Sequence, residues 1–170
     1  MKKYDCKVIL CGPGVGKSYL AERDNRFVDV DEIKSKYRYN SFDLTRDEVE
    51  KLKHTNRQTV NKDYIDYSIK LINDAIANNK IVLISFHKEI VDYIRNNNIK
   101  YCVVYPSLDS RNEYIKRLRD RGNNEEFIQL MTNKEAWEGF YDKDKNDPYA
   151  AYKIELKSGE YLSDIIDKFI

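Results

Sequence analysis

The sequence predicts a three-layer α/β domain in which about five parallel strands form a sheet with helices on both faces. Short apolar runs alternate with longer amphipathic ones along the chain, and strands separated by helices pair in parallel through right-handed crossovers. The short runs are apolar throughout, which is typical of strands that are covered on both faces. A length of 170 residues suits one domain with a substantial core, and we assign residues 1–170 to it.

The predicted strands are the five short apolar runs. The third, "KIVLISF", is too apolar to lie at a wet sheet edge, and the fourth, "IKYCVVYP", is equally continuous. Helical segments between successive runs give crossovers long enough for parallel pairing. In chain order the predicted strands are residues 6–11, 26–30, 80–86, 99–106 and 151–156.

The helices are predicted from capping boxes and from apolar residues at helical spacing. Thr45 precedes Glu48 by three residues, and Ser110 precedes Glu113 in the same way, with Gly122 as the C-terminal stop of that helix. In chain order the predicted helices are residues 16–23, 45–53, 60–77, 88–97, 110–122, 124–140 and 160–170, with a polar loop at 141–148.

Composition disfavours several classes of function. The net charge is +1 and no run of about 20 apolar residues occurs, so we expect neither a membrane partner nor a nucleic-acid partner bound through overall charge. Three cysteines, Cys6, Cys11 and Cys102, lie in strand-like runs far from metal-ligand spacing. An odd number argues against a disulfide framework, so we expect reduced, buried thiols and a cytoplasmic protein, either a monomer or a homodimer.

The sharpest signal is the stretch "VILCGPGVGKSYL" at residues 8–20. A buried strand, a glycine-rich turn and then a helix are the context that a phosphate-binding loop requires, and ATP with Mg²⁺ is the expected ligand. Glycines allow successive amides to surround one anion, and the helix N-terminus adds partial positive charge. The expected ATP-binding residues are Gly12, Pro13, Gly14, Val15, Gly16, Lys17, Ser18 and Tyr19.

Within that stretch, Lys17 is expected to follow the β- and γ-phosphates, and Ser18 to supply a hydroxyl to Mg²⁺. The alternative is a glycine-rich turn with a solvent lysine. The Walker A pattern G-x-x-x-x-G-K-[ST], counted back from Gly16, places Cys11 where the first glycine belongs. Because cysteine is small, and because Gly12 and Gly14 remain, we expect the loop to form.

Two carboxylates follow the second predicted strand in "FVDVDEI". Asp29 and Asp31 would lie at the carboxyl edge of the sheet, where α/β sheets bind ligands. One could reach Mg²⁺, for which Asp29 is our choice, although Asp29 is also a candidate for binding the acceptor. The other could bind the acceptor or take a proton, for which Asp31 is our choice. The alternative is that either residue caps a helix beginning near Glu32. Ser85 occupies the place where many ATPases carry an acid, which disfavours an ATPase.

A helix rich in arginine follows the fourth predicted strand. Arg117 and Arg121 share one face of it, and we expect them to act as catalytic lid residues that close over the transferred phosphate. The alternative is a solvated face on which Glu113 pairs with Arg117 at i,i+4.

Further basic residues are candidates for binding the acceptor. His87 and Lys88 follow the third predicted strand on the crevice side, although a histidine at a helix start can simply face solvent. Arg38, and less strongly Arg57, could belong to a helical insertion that binds the acceptor. Residues 156–162 lie where backbone groups could contact the adenine base.

These motifs resemble the small nucleoside and nucleotide kinases of the adenylate kinase and shikimate kinase type. The segments that carry the resemblance are "VILCGPGVGKSYLA", "FVDVDEI" and "YIKRLRDRG". The stretch from "ISFHKEIVDYI" to "RGNNEEFI" also resembles bacteriophage P-loop proteins described as nucleotide kinases. The resemblance implies strand order 2-3-1-4-5, an acceptor-binding insertion at about 37–79 and a lid at about 107–140. Because "SFHKE" replaces the shikimate-type glycine cluster, we do not expect shikimate as the acceptor.

The sequence thus predicts a kinase that transfers the γ-phosphoryl group of ATP to a nucleoside monophosphate, with a deoxynucleotide favoured. Two alternatives stay open. The acceptor could be a hydroxyl, on a nucleoside or a polynucleotide 5′ end. Otherwise the protein could bind ATP as a regulatory module and transfer nothing.

Overall fold

The computed structural model describes residues 4–31 and 63–169 of the chain, and its sheet has five strands. All neighbouring strands pair in parallel, in the order β2-β3-β1-β4-β5. The predicted α/β class and strand order are therefore confirmed. The strands are β1 Val8–Cys11, β2 Phe27–Asp29, β3 Ile81–Ile84, β4 Tyr101–Pro106 and β5 Tyr152–Leu156.

Helices connect the strands as crossovers. Part of the predicted insertion at 37–79 is described as a helix from Tyr64. The rest of it lies outside the described residues, together with Arg38, Arg57 and the Thr45 capping box. None of the described helices is long and apolar enough to cross a membrane. The helices are α1 Lys17–Arg23, α2 Tyr64–Ala77, α3 Lys88–Asn96, α4 Arg111–Asp120, α5 Glu125–Thr132 and α6 Lys134–Lys145.

The sheet separates two apolar layers. Side chains of successive strand residues point to opposite faces, so Ile9 and Val104 enter one layer while Leu10 and Val103 enter the other. Every residue of β1 and β3 is buried. The first layer contains residues of α1, α4 and the C-terminal segment, and the second contains residues of α2 and α3. Central strands covered on both faces explain the continuous apolar runs in the sequence.

The predicted helix at 124–140 is instead two helices that meet at Asn133. This residue has an extended ψ of 152°, and its side-chain oxygen accepts a hydrogen bond from the Ala136 amide at 2.9 Å. Asparagine favours such N-caps because its side chain replaces a missing helical acceptor. The second helix, α6, continues to Lys145, so most of the polar loop predicted at 141–148 is helical.

The closing helix predicted at 160–170 is also wrong. The chain forms two 3₁₀ turns, Leu162–Asp164 and Ile166–Lys168. Long-range contacts fix this segment: the Leu162 amide donates to the Val15 carbonyl at 3.0 Å, and Phe169 is buried in the first apolar layer. These contacts override the local helical pattern.

Candidate functional site

The candidate site lies at the carboxyl edge of the sheet, beyond the ends of three adjacent strands. Residues 12–16, which we call the glycine loop, connect β1 to α1. Asp29 ends β2 and Asp31 follows it, while Ser85 follows β3. Because these strands are parallel neighbours, the three segments emerge side by side, in the position where doubly wound sheets bind ligands.

Two glycines give the glycine loop its curvature. Gly14 has a φ of +83° and Gly16 a φ of +94°, in the left-handed region that other residues rarely adopt. Gly16 is also the N-cap of α1. Among the described residues, no backbone hydrogen bond is donated by the amide of Gly14 or Gly16. Both donors are thus available to a ligand.

Cys11 does not disturb this curvature, because it is the last residue of β1 and has the extended conformation of the strand. Its thiol is fully buried, and burial raises its pKa to about 12. The cysteine therefore occupies the position of the motif's first glycine as a core residue with a protonated thiol.

Lys17 turns back onto the glycine loop. Its Nζ donates to the carbonyl oxygens of Cys11 and Gly12, at 3.3 and 3.0 Å. It also lies 3.6 Å from Oδ2 of Asp31, and the side chain is only 10% exposed. An ammonium group held this far from water needs anionic partners. Asp31 is one such partner, and phosphate oxygens could take the place of the two carbonyls.

Ser18 and Asp29 form the second polar pair of the site. The Ser18 hydroxyl donates to Oδ2 of Asp29 at 2.8 Å. Burial raises the pKa of Asp29, while Lys17 and the Ser18 hydrogen bond oppose that shift. A hydroxyl and a carboxylate are hard oxygen ligands, of the kind that Mg²⁺ takes from a protein while it keeps waters and phosphate oxygens. The pair fits the predicted magnesium site.

Besides the ammonium of Lys17, donors from two further segments hold Asp31. The amide of Ser85 donates to Oδ2 at 2.6 Å, and the Ser85 hydroxyl donates to the same oxygen. Tyr64 donates from α2 to Oδ1 at 3.4 Å. An acid at the end of β3 would lie at the position of Ser85. The hydrogen bonds from Ser85 therefore place the carboxylate of Asp31 next to that position. The alternative that Asp31 caps a helix concerns residues 32–62, which lie outside the described residues.

Arg117 lies on a different side of the glycine loop from Lys17. Its Nη1 donates to the Gly14 carbonyl at 3.1 Å and its Nη2 to the Glu160 carbonyl at 3.0 Å. It also pairs with Glu113, and its side chain is 9% exposed. The predicted Glu113 pair is present, but the guanidinium packs inside the protein and not on a solvated face.

The other lid candidates differ from Arg117. Arg121 is exposed at the end of α4, so it remains the arginine that could move over a ligand. Arg119 is exposed and forms two hydrogen bonds with Glu125, at 2.8 and 3.0 Å. Helix α4 itself is anchored by buried Tyr114 and Leu118. Helix α4 therefore packs against the first apolar layer, and the predicted lid role of its exposed arginines stays a prediction.

The predicted acceptor residues separate into two groups. His87 is the N-cap of α3, and its ring lies 5.5 Å from the ring of Tyr64, which also contacts Asp31. Lys88 is 85% exposed and pairs with Asp92 on the surface of α3 at 2.6 Å. His87 thus lies near the site, whereas Lys88 points along the helix surface.

The remaining predicted ATP-binding residues flank the loop. Pro13 is partly buried and Val15 is buried within it. Tyr19 is 56% exposed, with the Arg23 guanidinium 3.7 Å from its ring centroid. The side chain of Tyr19 therefore faces solvent, and only its backbone belongs to the first turn of α1.

Sequence reasoning missed the residues that act through distant contacts. Ser85 counted only as the absence of an acid, yet it binds Asp31 across 54 positions of sequence. The sequence predicts the pair of Glu113 with Arg117 but not the hydrogen bonds of Glu113 to the turn 157–161. It does not single out Tyr64 or Tyr161. A local pattern carries no signal for such pairs, because their meaning depends on strand order and helix placement.

Comparison with known proteins adds no constraint on this site. No protein-family model matches the sequence, and the search of curated proteins gave no match either. The functional assignment therefore depends on the chemistry and geometry of the residues themselves.

Proposed function

We propose that the protein is an ATP-dependent phosphotransferase that moves the γ-phosphoryl group to a nucleoside monophosphate, with a deoxynucleotide favoured. One observation carries the proposal. Lys17 and Ser18 open a helix behind a loop with two left-handed glycines, and they contact Asp31 and Asp29, respectively, at the end of β2. A cation, a hydroxyl and two carboxylates at one sheet edge are the groups that phosphoryl transfer requires.

The chain's own residues would bind the triphosphate mainly through charge. The amides of Gly14 and Gly16 and the N-terminus of α1 attract an anion. Lys17 would exchange its contacts with the Cys11 and Gly12 carbonyls for contacts with phosphate oxygens. Ser18 and Asp29 would hold Mg²⁺, which supplies positive charge to the phosphate oxygens. No covalent enzyme intermediate is needed, because positioning and charge neutralisation carry the rate.

The hydrogen bonds of Asp31 support a monophosphate acceptor over a hydroxyl. Both donors of Ser85, the hydroxyl of Tyr64 and the ammonium of Lys17 surround its carboxylate. Donors therefore already engage both oxygens of Asp31, which leaves neither of them placed to take a proton from an acceptor hydroxyl. A phosphate acceptor is already ionised and needs no strong base. Asp31 would therefore orient Lys17 and the acceptor.

The turn at residues 157–161 supports a nucleotide rather than free polyphosphate as the donor. Tyr161 packs beside Gly16 and is 41% exposed. An aromatic ring that is partly open to solvent, next to the start of the phosphate-binding helix, offers a surface on which a base could stack. This is the segment for which the sequence predicts contact with adenine.

The test is a coupled ADP-release assay over nucleoside monophosphates, nucleosides and a 5′-hydroxyl oligonucleotide. We expect one or more monophosphates to stimulate ADP release. Lys17→Ala should abolish that stimulation, whereas Lys116→Ala, which removes a lysine that is 76% exposed, should leave it intact. Full turnover by Lys17→Ala would contradict the kinase proposal.

Other patterns in the assay select the alternatives. Stimulation only by nucleosides or the oligonucleotide would assign a hydroxyl acceptor. Loss of the oligonucleotide response at high salt would indicate a basic groove for nucleic acid. ATP binding without any stimulated ADP release would favour a regulatory module that transfers nothing.

A further inference from the structure

The outer side of the glycine loop, which faces α4 and the turn 157–161, contains a partly buried charge cluster. Arg117 is its centre, with hydrogen bonds to the carbonyls of Gly14 and Glu160 and an ion pair with Glu113. The guanidinium lies 3.7 Å from the ring centroid of Tyr161 and 4.7 Å from that of Tyr114. A charge that is 9% exposed and surrounded in this way has little freedom to move.

Glu113 extends the cluster to the turn. Its carboxylate accepts the hydroxyl of Ser158 at 2.7 Å and the amide of Gly159 at 2.9 Å. Glu113 therefore connects Arg117, which holds the glycine loop, to the turn at residues 157–161, which packs beside that loop. Hydrogen bonds to a charged acceptor are among the stronger ones in proteins, so the cluster connects three segments that are far apart in sequence.

Aromatic side chains complete the contact from the same side. A Cβ atom at Gly14 would lie 3.2 Å from Cδ1 of Tyr114, and one at Gly16 would lie 3.4 Å from Cδ1 of Tyr161. The two rings thus occupy the space that the glycines leave open. Close packing of this kind resists displacement of the backbone.

The held carbonyls determine where the next amides point. In a trans peptide the C=O and the following N–H lie on opposite sides of one rigid plane. Arg117 holds the Gly14 carbonyl, so the Val15 amide points away from Arg117. The Leu162 amide holds the Val15 carbonyl at 3.0 Å, so the Gly16 amide points away from the turn. An anion bound by these amides would lie on the side opposite the arginine.

We propose that Glu113 and Arg117 are positioning residues, which hold the glycine loop in its anion-binding shape from the outer side, and that Arg117 does not touch the transferred phosphoryl group. The inference rests on the proposed function only in taking a triphosphate as the ligand of the loop. Arg117 acts on phosphate through the backbone, so its effect is the same for any ligand with a triphosphate tail.

The experiment compares Arg117→Met with Arg119→Met, which removes an arginine of the same helix that is 57% exposed. Glu113→Gln is the second variant, because it keeps the size of the side chain and removes the charge. Circular dichroism establishes that each variant folds. The first readout, in ligand-free protein, is hydrogen exchange of the Gly159 and Leu162 amides, which donate to Glu113 and Val15.

Exchange at both amides should be several-fold faster in Arg117→Met and Glu113→Gln and unchanged in Arg119→Met. The second readout is calorimetric binding of Mg²⁺ with inorganic tripolyphosphate and of Mg²⁺ with ATP. Residues that orient a binding group through a second layer of contacts typically change affinity about 10- to 100-fold. We expect a loss in that range for Arg117→Met, equal for both ligands.

Three results would overturn the inference. Unchanged amide exchange in both variants would show that the cluster does not hold the loop. Weaker binding of ATP alone would make Arg117 a base-contacting residue, and a loss of kcat with normal binding would make it a lid arginine. Failure of the wild-type protein to bind either ligand is a separate outcome, which would contradict the proposed function.

Discussion

The two sides of the glycine loop are built differently. On the side of Lys17, polar groups face one another and can exchange partners: an ammonium on two carbonyls, and a hydroxyl on a carboxylate. On the outer side, Arg117 and two aromatic rings hold the backbone in place. If the proposed function is right, separate residues recognise the ligand and shape the loop, so substitutions on the two sides should fail in different ways.

The largest expected effect on the recognition side comes from Asp29→Asn. The amide lacks the charge that would hold Mg²⁺ beside Ser18, so the Mg²⁺ concentration needed for half-maximal activity should rise about 10- to 100-fold. Binding of ATP without metal should change little. The matched control is Asp5→Asn, whose carboxylate is 84% exposed. An unchanged Mg²⁺ requirement would remove Asp29 from the metal site.

The same variant has a pH signature. Burial raises the pKa of Asp29, so its carboxylate becomes protonated at a higher pH than an ordinary aspartate as pH falls. The wild-type Mg²⁺ requirement should therefore increase on acidification, starting above the usual aspartate range, and this increase should be absent in Asp29→Asn.

On the outer side, Gly14→Ala changes the packing of the glycine loop without removing a charged group. The alanine would have to adopt a φ of +83° and would meet the ring of Tyr114 at 3.2 Å. We expect the free energy of unfolding to fall by about 2 kcal/mol, since a left-handed conformation disfavours a Cβ and the ring is packed. Denaturant unfolding of ligand-free protein measures this loss.

Gly12→Ala is the control for that substitution, because nothing lies within 4 Å of a Cβ at this position. Its free energy of unfolding should change by no more than about 0.5 kcal/mol. Equal losses of unfolding free energy in the two alanine variants would mean that the residues on the outer side do not constrain the glycine loop.

The smallest expected effect concerns a carboxylate that lies outside the glycine loop. Asp144 on α6 is 8% exposed, and no described residue donates a hydrogen bond to its side chain, unlike Asp29 and Asp31. Burial raises its pKa to about 7, with Asp147 adding to the shift and Lys143 opposing it. At Asp29, by contrast, Lys17 and the Ser18 hydrogen bond oppose the effect of burial on the pKa.

Asp144 makes stability depend on pH because its pKa in the folded protein is higher than its pKa in the unfolded chain. Between about pH 4 and pH 7 the unfolded chain ionises this group while the folded protein keeps it protonated, so stability falls as pH rises. Asp144→Asn should remove that fall and stabilise the protein by about 1 kcal/mol or more at pH 8. Urea unfolding at pH 5 and pH 8 measures it, with exposed Asp142→Asn as the control. A gain equal at both pH values would contradict the assignment.

The sequence predicts what local patterns encode. Apolar runs predict the strands, and the parallel crossovers follow from the helices between them. The motif around Lys17 predicts a turn and helix that the structure contains. The break at Asn133 has a local signal, an N-cap residue within a helical pattern, although the apolar spacing on both sides obscures it.

Long-range contacts lie beyond that reach. Arg117 and Gly14 are separated by 103 positions, and Glu113 and Ser158 by 45. The pattern "YIKRLRDRG" shows that the arginines share a helix face, but only the packing of α4 against the loop determines what that face contacts. For the same reason, Ser85 can be recognised as a site residue only when β2 and β3 are known to be neighbouring strands.

The most direct measurement for the central claim is calorimetric titration of Mg²⁺ with ATP and with tripolyphosphate into the wild-type protein, Lys17→Ala and Lys116→Ala. We predict that the wild type and Lys116→Ala bind both ligands, and that Lys17→Ala binds neither measurably, because the loop loses the ammonium that meets the phosphates. Wild-type protein that binds neither ligand, or Lys17→Ala that binds both as tightly as the wild type, would contradict the account.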